Sequence, residues 1–260
     1  MTAITEVISK EKMSSASAQI EQHSLPRSAV LHLLPGLIAL FVYCLLVGPF
    51  ERAGFPSMMA WLVTIALVNI PLDWGVMILE GYKRNGRFSL EGVVLNRQPM
   101  KARFILLNSV LVFLAVLAAF LLVSPLTGWA ETRLFGWVPG WFEQNDGSLG
   151  GAYPRLNLLI FNLLNLVVLV IGISITEETY FRGYLLPRLS RLGIWSVAIN
   201  SVLFSLYHFT TPWALVQRAV MTLPMAYSAY HRRNLAPAMI VHGIANLIIA
   251  LPGIQYLLMM

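Results

Sequence analysis

The sequence predicts an all-α protein, a polytopic transmembrane helical bundle of about seven spans, eight at most, with its N-terminus in the cytoplasm. Three observations lead there. Of 260 residues, 57% are apolar and only 12% are Asp, Glu, Lys or Arg, where ordinary globular chains are about a quarter charged. The mean hydropathy is +0.70, an apolar excess larger than a soluble core of this length could bury under a polar surface. The apolar residues also gather into runs that match a hydrocarbon layer about 30 Å thick, which takes roughly 20 residues to cross as a helix. The net charge of +6 would suit a nucleic-acid reader if Lys and Arg formed one water-facing stripe. Here they sit in short clusters between apolar runs, so the expected partner is a lipid bilayer and not nucleic acid. Cys44, the single cysteine, lies inside an apolar run, which excludes an intrachain disulfide and a cysteine-rich metal site.

Residues 1–29 are polar, with Lys10, Glu11, Lys12, Glu21 and Arg27. No convincing small-residue cleavage site follows the first apolar run, so this stretch reads as a cytoplasmic tail and not as a signal peptide. Residues 30–260 form the expected transmembrane domain, with spans at about 30–50, 57–80, 104–124, 157–187, 194–211, 214–230 and 235–253. The fourth run exceeds one crossing, so tilt or a break near Gly172 is expected. The connection at 125–156 mixes Trp129, Trp137, Trp141 and Phe142 with Pro139 and several glycines. Tryptophans of this kind are ordinary headgroup anchors, and an interfacial position is expected there in preference to a lid over a substrate. Thirteen of the eighteen Lys and Arg residues fall on the side shared by the N-terminal tail and the connections near 81–103, 188–193 and 231–234. Arg52, Arg133, Arg155 and Arg218 are assigned to the other side, and the bias places the N-terminus inside.

Charged groups at bilayer depth cost several kcal/mol by most scales, so each asks for a partner or a role. Glu80, beside Gly81, Tyr82 and Lys83, reads as interfacial. Asp73 follows Pro71 and reads first as the group that satisfies backbone freed by that proline. Glu177 and Glu178 are different, being adjacent, deep and followed by Arg182. Glu178 and Arg182 are four apart with the acid first, the favourable order for a helical ion pair. Glu177 points about 100° away and has no local counter-charge. Such a carboxylate, reached by water, can serve as a general base, or both acids and Arg182 can form a polar knot that fixes helix packing. His208 lies in the fifth span, and His242 and Asn246 in the seventh. Taken singly, each can be a hydrogen bond between helices. Counting about 1.5 Å per residue from the cytoplasmic ends, however, puts all four in one layer roughly 10 to 21 Å deep, and the spacing of His242 and Asn246 lets them share one helix face.

A water held between a carboxylate and an imidazole, opposite a second imidazole and a side-chain amide, has the parts for hydrolysing a peptide bond. Glu177 would take the proton from water and pass it to the leaving amine, with His208 orienting the water or sharing the proton. His242 and Asn246 would donate to the developing oxyanion.

These segments, Glu-Glu-x-x-x-Arg, Phe-x-x-x-His and His-x-x-x-Asn in that order on separate late spans, resemble the CPBP family of intramembrane proteases. That family includes the type II CAAX prenyl endopeptidases and the bacterial bacteriocin-processing and self-immunity (Abi) proteins. The resemblance covers about residues 157–250, and no polar motif position departs from the pattern. It implies a multi-span endopeptidase in which Glu177 is the water-activating base, His208 its partner, and His242 with Asn246 the oxyanion site. Glu178 and Arg182 match the remaining motif positions. The family has been described both as glutamate-type and as metal-dependent. Two His and a carboxylate can hold zinc, which here would be Glu178, His208 and His242. Against this, there is no His-Glu-x-x-His helix, and Arg182 competes for Glu178, so metal-free catalysis with no cofactor is favoured. The expected substrate is a peptide or membrane-tethered protein, and the expected location is a bacterial inner membrane as a multi-pass protein. Neither prenylation of the substrate nor the oligomeric state is legible. Two other classes stay open. One is a non-catalytic self-immunity or binding protein, and the other is a proton-coupled transporter, although the chain lacks the related halves that carriers often show.

Overall fold

The structure is a computed structural model that describes residues 20–139, 142 and 153–259. Trp141 and most of the tail therefore lie outside the described residues. Among the described residues seven helices of thirteen residues or more follow one another: α1 Leu25–Arg52, α2 Ser57–Asn85, α3 Ala102–Arg133, α4 Arg155–Leu192, α5 Trp195–Tyr207, α6 Leu215–Arg232 and α7 Ala236–Met259. Among the described residues the only β pairing is an isolated bridge between Arg97 and Asn234. Each predicted stretch contains a helix, but among the described residues five helices (α1, α2, α3, α4 and α7) are long and apolar enough to cross a membrane. At 13 residues, α5 rises only about 20 Å and falls short of a full crossing. Large apolar side chains stand exposed around the bundle, among them Leu122, Leu67 and Phe41, as lipid-facing positions require.

The first helix starts earlier than the 30–50 stretch read from sequence. Ser24 caps it by accepting a hydrogen bond from Arg27 N–H at 3.3 Å, and Pro26 in the first turn needs no intrahelical partner for its nitrogen. The residues just before it are not a free tail. His23 N–H donates to Arg188 O at 2.9 Å, and Gln22 Oε1 accepts from Arg191 N–H at 3.0 Å, so Gln22 and His23 clasp the end of α4.

No break interrupts α4 at Gly172. Instead its turns widen to π geometry at Asn165–Ile173 and Glu178–Leu185, on either side of Ser174–Glu177, and tighten to 3-10 over Leu186–Leu192. Wide turns of this kind concentrate at functional sites. They also leave carbonyls for side chains to satisfy, as prolines do, and in lipid every such group needs a partner. Pro35 leaves the Leu31 carbonyl without its N–H, and Tyr180 Oη donates to that oxygen at 2.8 Å. Pro187 leaves the Gly183 carbonyl, which Leu95 N–H takes at 2.8 Å. Before Pro71 the turns widen to π geometry over Ile65–Asn69. Asp73 does not do what its position suggested: it is fully buried, and neither carboxylate oxygen has a hydrogen-bond partner.

The core lies where α4 meets α5 and α1. Phe181 packs on Phe204 with ring centroids 4.8 Å apart and on Tyr207 at 5.1 Å, and Val93 and Val94 plug the same cluster from the α2–α3 connection. Gly36 lets α1 approach the end of α5. A Cβ there would lie 2.2 Å from Tyr207 O, a backbone atom that cannot give way by rotation. Small residues serve such close contacts between membrane helices. Gly36→Ala is expected to destabilise the fold by about 1–3 kcal/mol, the usual cost of overpacking, and thermal unfolding in detergent reads the loss. An unchanged melting temperature would mean that α1 does not pack this closely.

Candidate active site

The sequence-selected side chains come from three elements that bend or stop at the right depth. Glu177 closes the short α turn between the two π stretches of α4. His208 is not inside a span but is the first residue after α5, with φ −86° and ψ 66°. The helix stops there because Thr211 precedes Pro212, whose ring disfavours helical geometry in the residue before it. The stop is sealed by Ser205 Oγ, which donates across the turn to Leu215 O at 2.6 Å. His242 and Asn246 stand one turn apart on α7. Glu177, His208, His242 and Asn246 all line one cavity of about 350 Å³, together with Tyr207 and Arg218.

Glu178 and Arg182 stand behind this cavity, both fully buried. Arg182 Nη1 donates to Glu178 Oε1 at 3.2 Å, and its guanidinium lies 4.0 Å from the centre of the Phe204 ring, a cation–π contact. The same Glu178 oxygen takes His242 Nδ1 at 3.0 Å. A carboxylate only accepts, so Nδ1 carries the proton and the tautomer is set. That leaves His242 Nε2 facing Glu177 Oε2 at 3.7 Å. The ion pair thus fixes the imidazole, and the imidazole meets the other glutamate. Sequence reasoning paired Glu177 with His208; in the structure the imidazole that meets Glu177 is that of His242.

His208 Nδ1–H donates to Phe204 O at 2.9 Å, which commits the proton to Nδ1 and leaves Nε2 able to accept one. Asn246 is more constrained than expected. Its Nδ2 donates to Leu169 O at 2.9 Å and to Ser174 Oγ at 3.0 Å, so both amide hydrogens are in use. Ser174 Oγ accepts from Asn246 and itself donates to Leu169 O at 3.4 Å, so that carbonyl has two donors and keeps one if an Asn246 N–H leaves it.

Arg218 is the residue that sequence reasoning misplaced. Counted with the outer connection, it lies instead on the cavity wall, where Nη2 donates to Thr211 Oγ1 at 2.7 Å. The signal was present, since the predicted span 214–230 already contained it. Tyr207, whose hydroxyl accepts from Asn69 Nδ2, also borders the cavity and was not selected.

The residues do not fit the zinc set considered above. Among the described residues no three His, Cys, Asp or Glu side chains are grouped as metal ligands would be, and the Glu178 oxygen that meets His242 is already shared with Arg182.

Fold and site together define a helical integral membrane protein with Glu, His, Asn and Arg side chains around an interior cavity. Residues 159–248 match the family model described as Type II CAAX prenyl endopeptidase Rce1-like. The matched stretch carries all three motifs on which the resemblance rested, and it supports intramembrane protease activity and a membrane location. No curated protein and no solved structure matches the chain.

Proposed function

We propose that the protein is an intramembrane endopeptidase that uses Glu177 to activate water and cuts a peptide or a membrane-tethered protein, without a metal ion. The observation that carries this reading is the single cavity shared by Glu177, His208, His242 and Asn246. Water in that cavity gives a proton to Glu177 and its oxygen attacks the peptide carbonyl. His208 Nε2, with its Nδ1–H held by Phe204 O, orients the water as an acceptor. Glu177 then returns the proton to the leaving amine. The oxyanion is met by one Asn246 N–H, drawn from Leu169 O, which Ser174 Oγ continues to bond, and by His242 Nε2 when that ring is doubly protonated. Each donor of this kind is worth about 2.7–4 kcal/mol in the best-measured cases. The clustering of basic residues supports an N-terminus on the cytoplasmic side, with the cavity served from there.

The test is cleavage of a peptide library by the full chain reconstituted in liposomes, with and without EDTA or phenanthroline. Cleavage is expected to persist at full rate under chelation. Loss of cleavage that zinc restores would overturn the metal-free part of the reading, and no cleavage in either arm would overturn the proteolytic part.

A further inference from the structure

Arg218 is a cation inside the cavity whose role the hydrolytic chemistry above does not use. It stands in the first turns of α6, an 18-residue helix whose N-terminal end adds partial positive charge. Its Nη2 bonds the Thr211 hydroxyl, but its Nη1 is buried without any hydrogen-bond partner. No carboxylate pairs with it among the described residues. The two other interior arginines also carry buried nitrogens without partners, Nε and Nη2 of Arg182 and Nε of Arg188, but their remaining bonds differ. Arg182 has Glu178, and Arg188 Nη1 is spent on two backbone carbonyls, Val93 O at 3.0 Å and Tyr184 O at 2.6 Å. An arginine placed only to tie helices together would be bonded as Arg188 is.

The surroundings say what could complete it. A guanidinium offers parallel N–H groups that match the two oxygens of a carboxylate, a geometry an ammonium cannot reproduce. Glu177 lines the same cavity but is not within ion-pair distance of Arg218. The remaining wall is largely apolar, with Trp61, Phe120, Met221, Met225 and Ile249, and suits apolar side chains of a peptide. A cavity of about 350 Å³ spans only a few residues, which keeps any group at Arg218 close to the bond facing Glu177.

We infer that Arg218 anchors the substrate by taking a carboxylate a few residues from the bond that is cut, either the C-terminal carboxylate of the peptide or an Asp or Glu side chain. Arg218 is thereby a specificity-determining residue of the cavity. This rests on the proteolytic reading for the word substrate, but the binding itself does not need turnover.

The experiment uses the full chain carrying Glu177→Gln in nanodiscs of neutral lipid and measures equilibrium binding of three pools of N-acetyl pentapeptides built from Ala, Val, Leu, Ile, Met and Phe. One pool ends in a free carboxylate, one in a carboxamide, and one in a carboxamide with a single Asp. The acid-ended pool, the Asp-containing pool or both are expected to bind at least about ten-fold better than the plain amide pool, as charged hydrogen bonds permit. Which of the two wins identifies the source of the carboxylate. Arg218→Gln is expected to erase the preference and Arg218→Lys to keep part of it. Equal binding of the three pools, no binding of any, or a preference that survives Arg218→Gln would overturn the inference. The comparison of pools on unsubstituted Arg218 needs no variant at that position, so misfolding cannot mimic a negative result. Cleavage of the same pools by the chain with Glu177 intact is read separately. A carboxylate preference without any cleavage would contradict proteolysis and leave the anchor standing.

Discussion

Glu177→Gln is expected to lower the rate of peptide hydrolysis by about 10²- to 10⁴-fold, the usual contribution of a positioned general base, while the protein remains folded. Glutamine keeps the volume of the side chain and can still meet His242 Nε2, which lies 3.7 Å from the carboxylate oxygen in the parent. What it cannot do is accept a proton from water and return it. The substitution therefore separates catalysis from packing. If Glu177 only helped to hold α4 against α7, the variant would lose stability and keep its rate per folded molecule. Turnover measured on reconstituted protein, normalised to the folded fraction from thermal unfolding, decides between the two.

Arg182→Met is expected to produce the largest loss of stability in the chain, about 3–5 kcal/mol, because it leaves a fully buried carboxylate without its counter-charge. Glu178 Oε2 already has no hydrogen-bond partner, so the remaining oxygen depends on Arg182 and His242 alone. Replacing both members of the pair by Met should restore most of that stability, since a buried ion pair gains little over apolar residues of similar size. Hydrolysis should stay low in the double variant, because His242 Nδ1 then has no acceptor to fix its ring. Unfolding in detergent and peptide turnover check the two halves. A single variant as stable as the parent, or a double variant that regains full turnover, would contradict the assignment of the pair as the holder of His242.

The fold was legible where it depends on composition: apolar runs mark the place of each helix, five of them long and apolar enough to cross a membrane. It was not legible where backbone geometry depends on neighbours. In the π stretches of α4 the Asn246 and Asn200 amides bond the Leu169 and Phe181 carbonyls, and Leu95 N–H takes the Gly183 carbonyl freed by Pro187, and those partners lie far along the chain. The early end of α5 was written in Thr211-Pro212 but was outweighed by the apolar run that continues past it. In the site, six motif side chains were legible as candidates from residue type and spacing, and four of them line one cavity. Which imidazole meets which glutamate was not, because that follows from the rotation of α7 against α4. Asp73 shows the same limit. Its proline neighbour suggested a local hydrogen bond, whereas in the structure neither of its carboxylate oxygens has a partner.

The central claim is that Glu177 drives hydrolysis of membrane peptides, and mass spectrometry of membrane fractions tests it most directly, comparing cells that make the parent chain with cells that make Glu177→Gln at equal levels. The account predicts a defined set of peptides or protein termini that accumulate uncut only with Glu177→Gln. Identical peptide and terminus profiles in the two would contradict it.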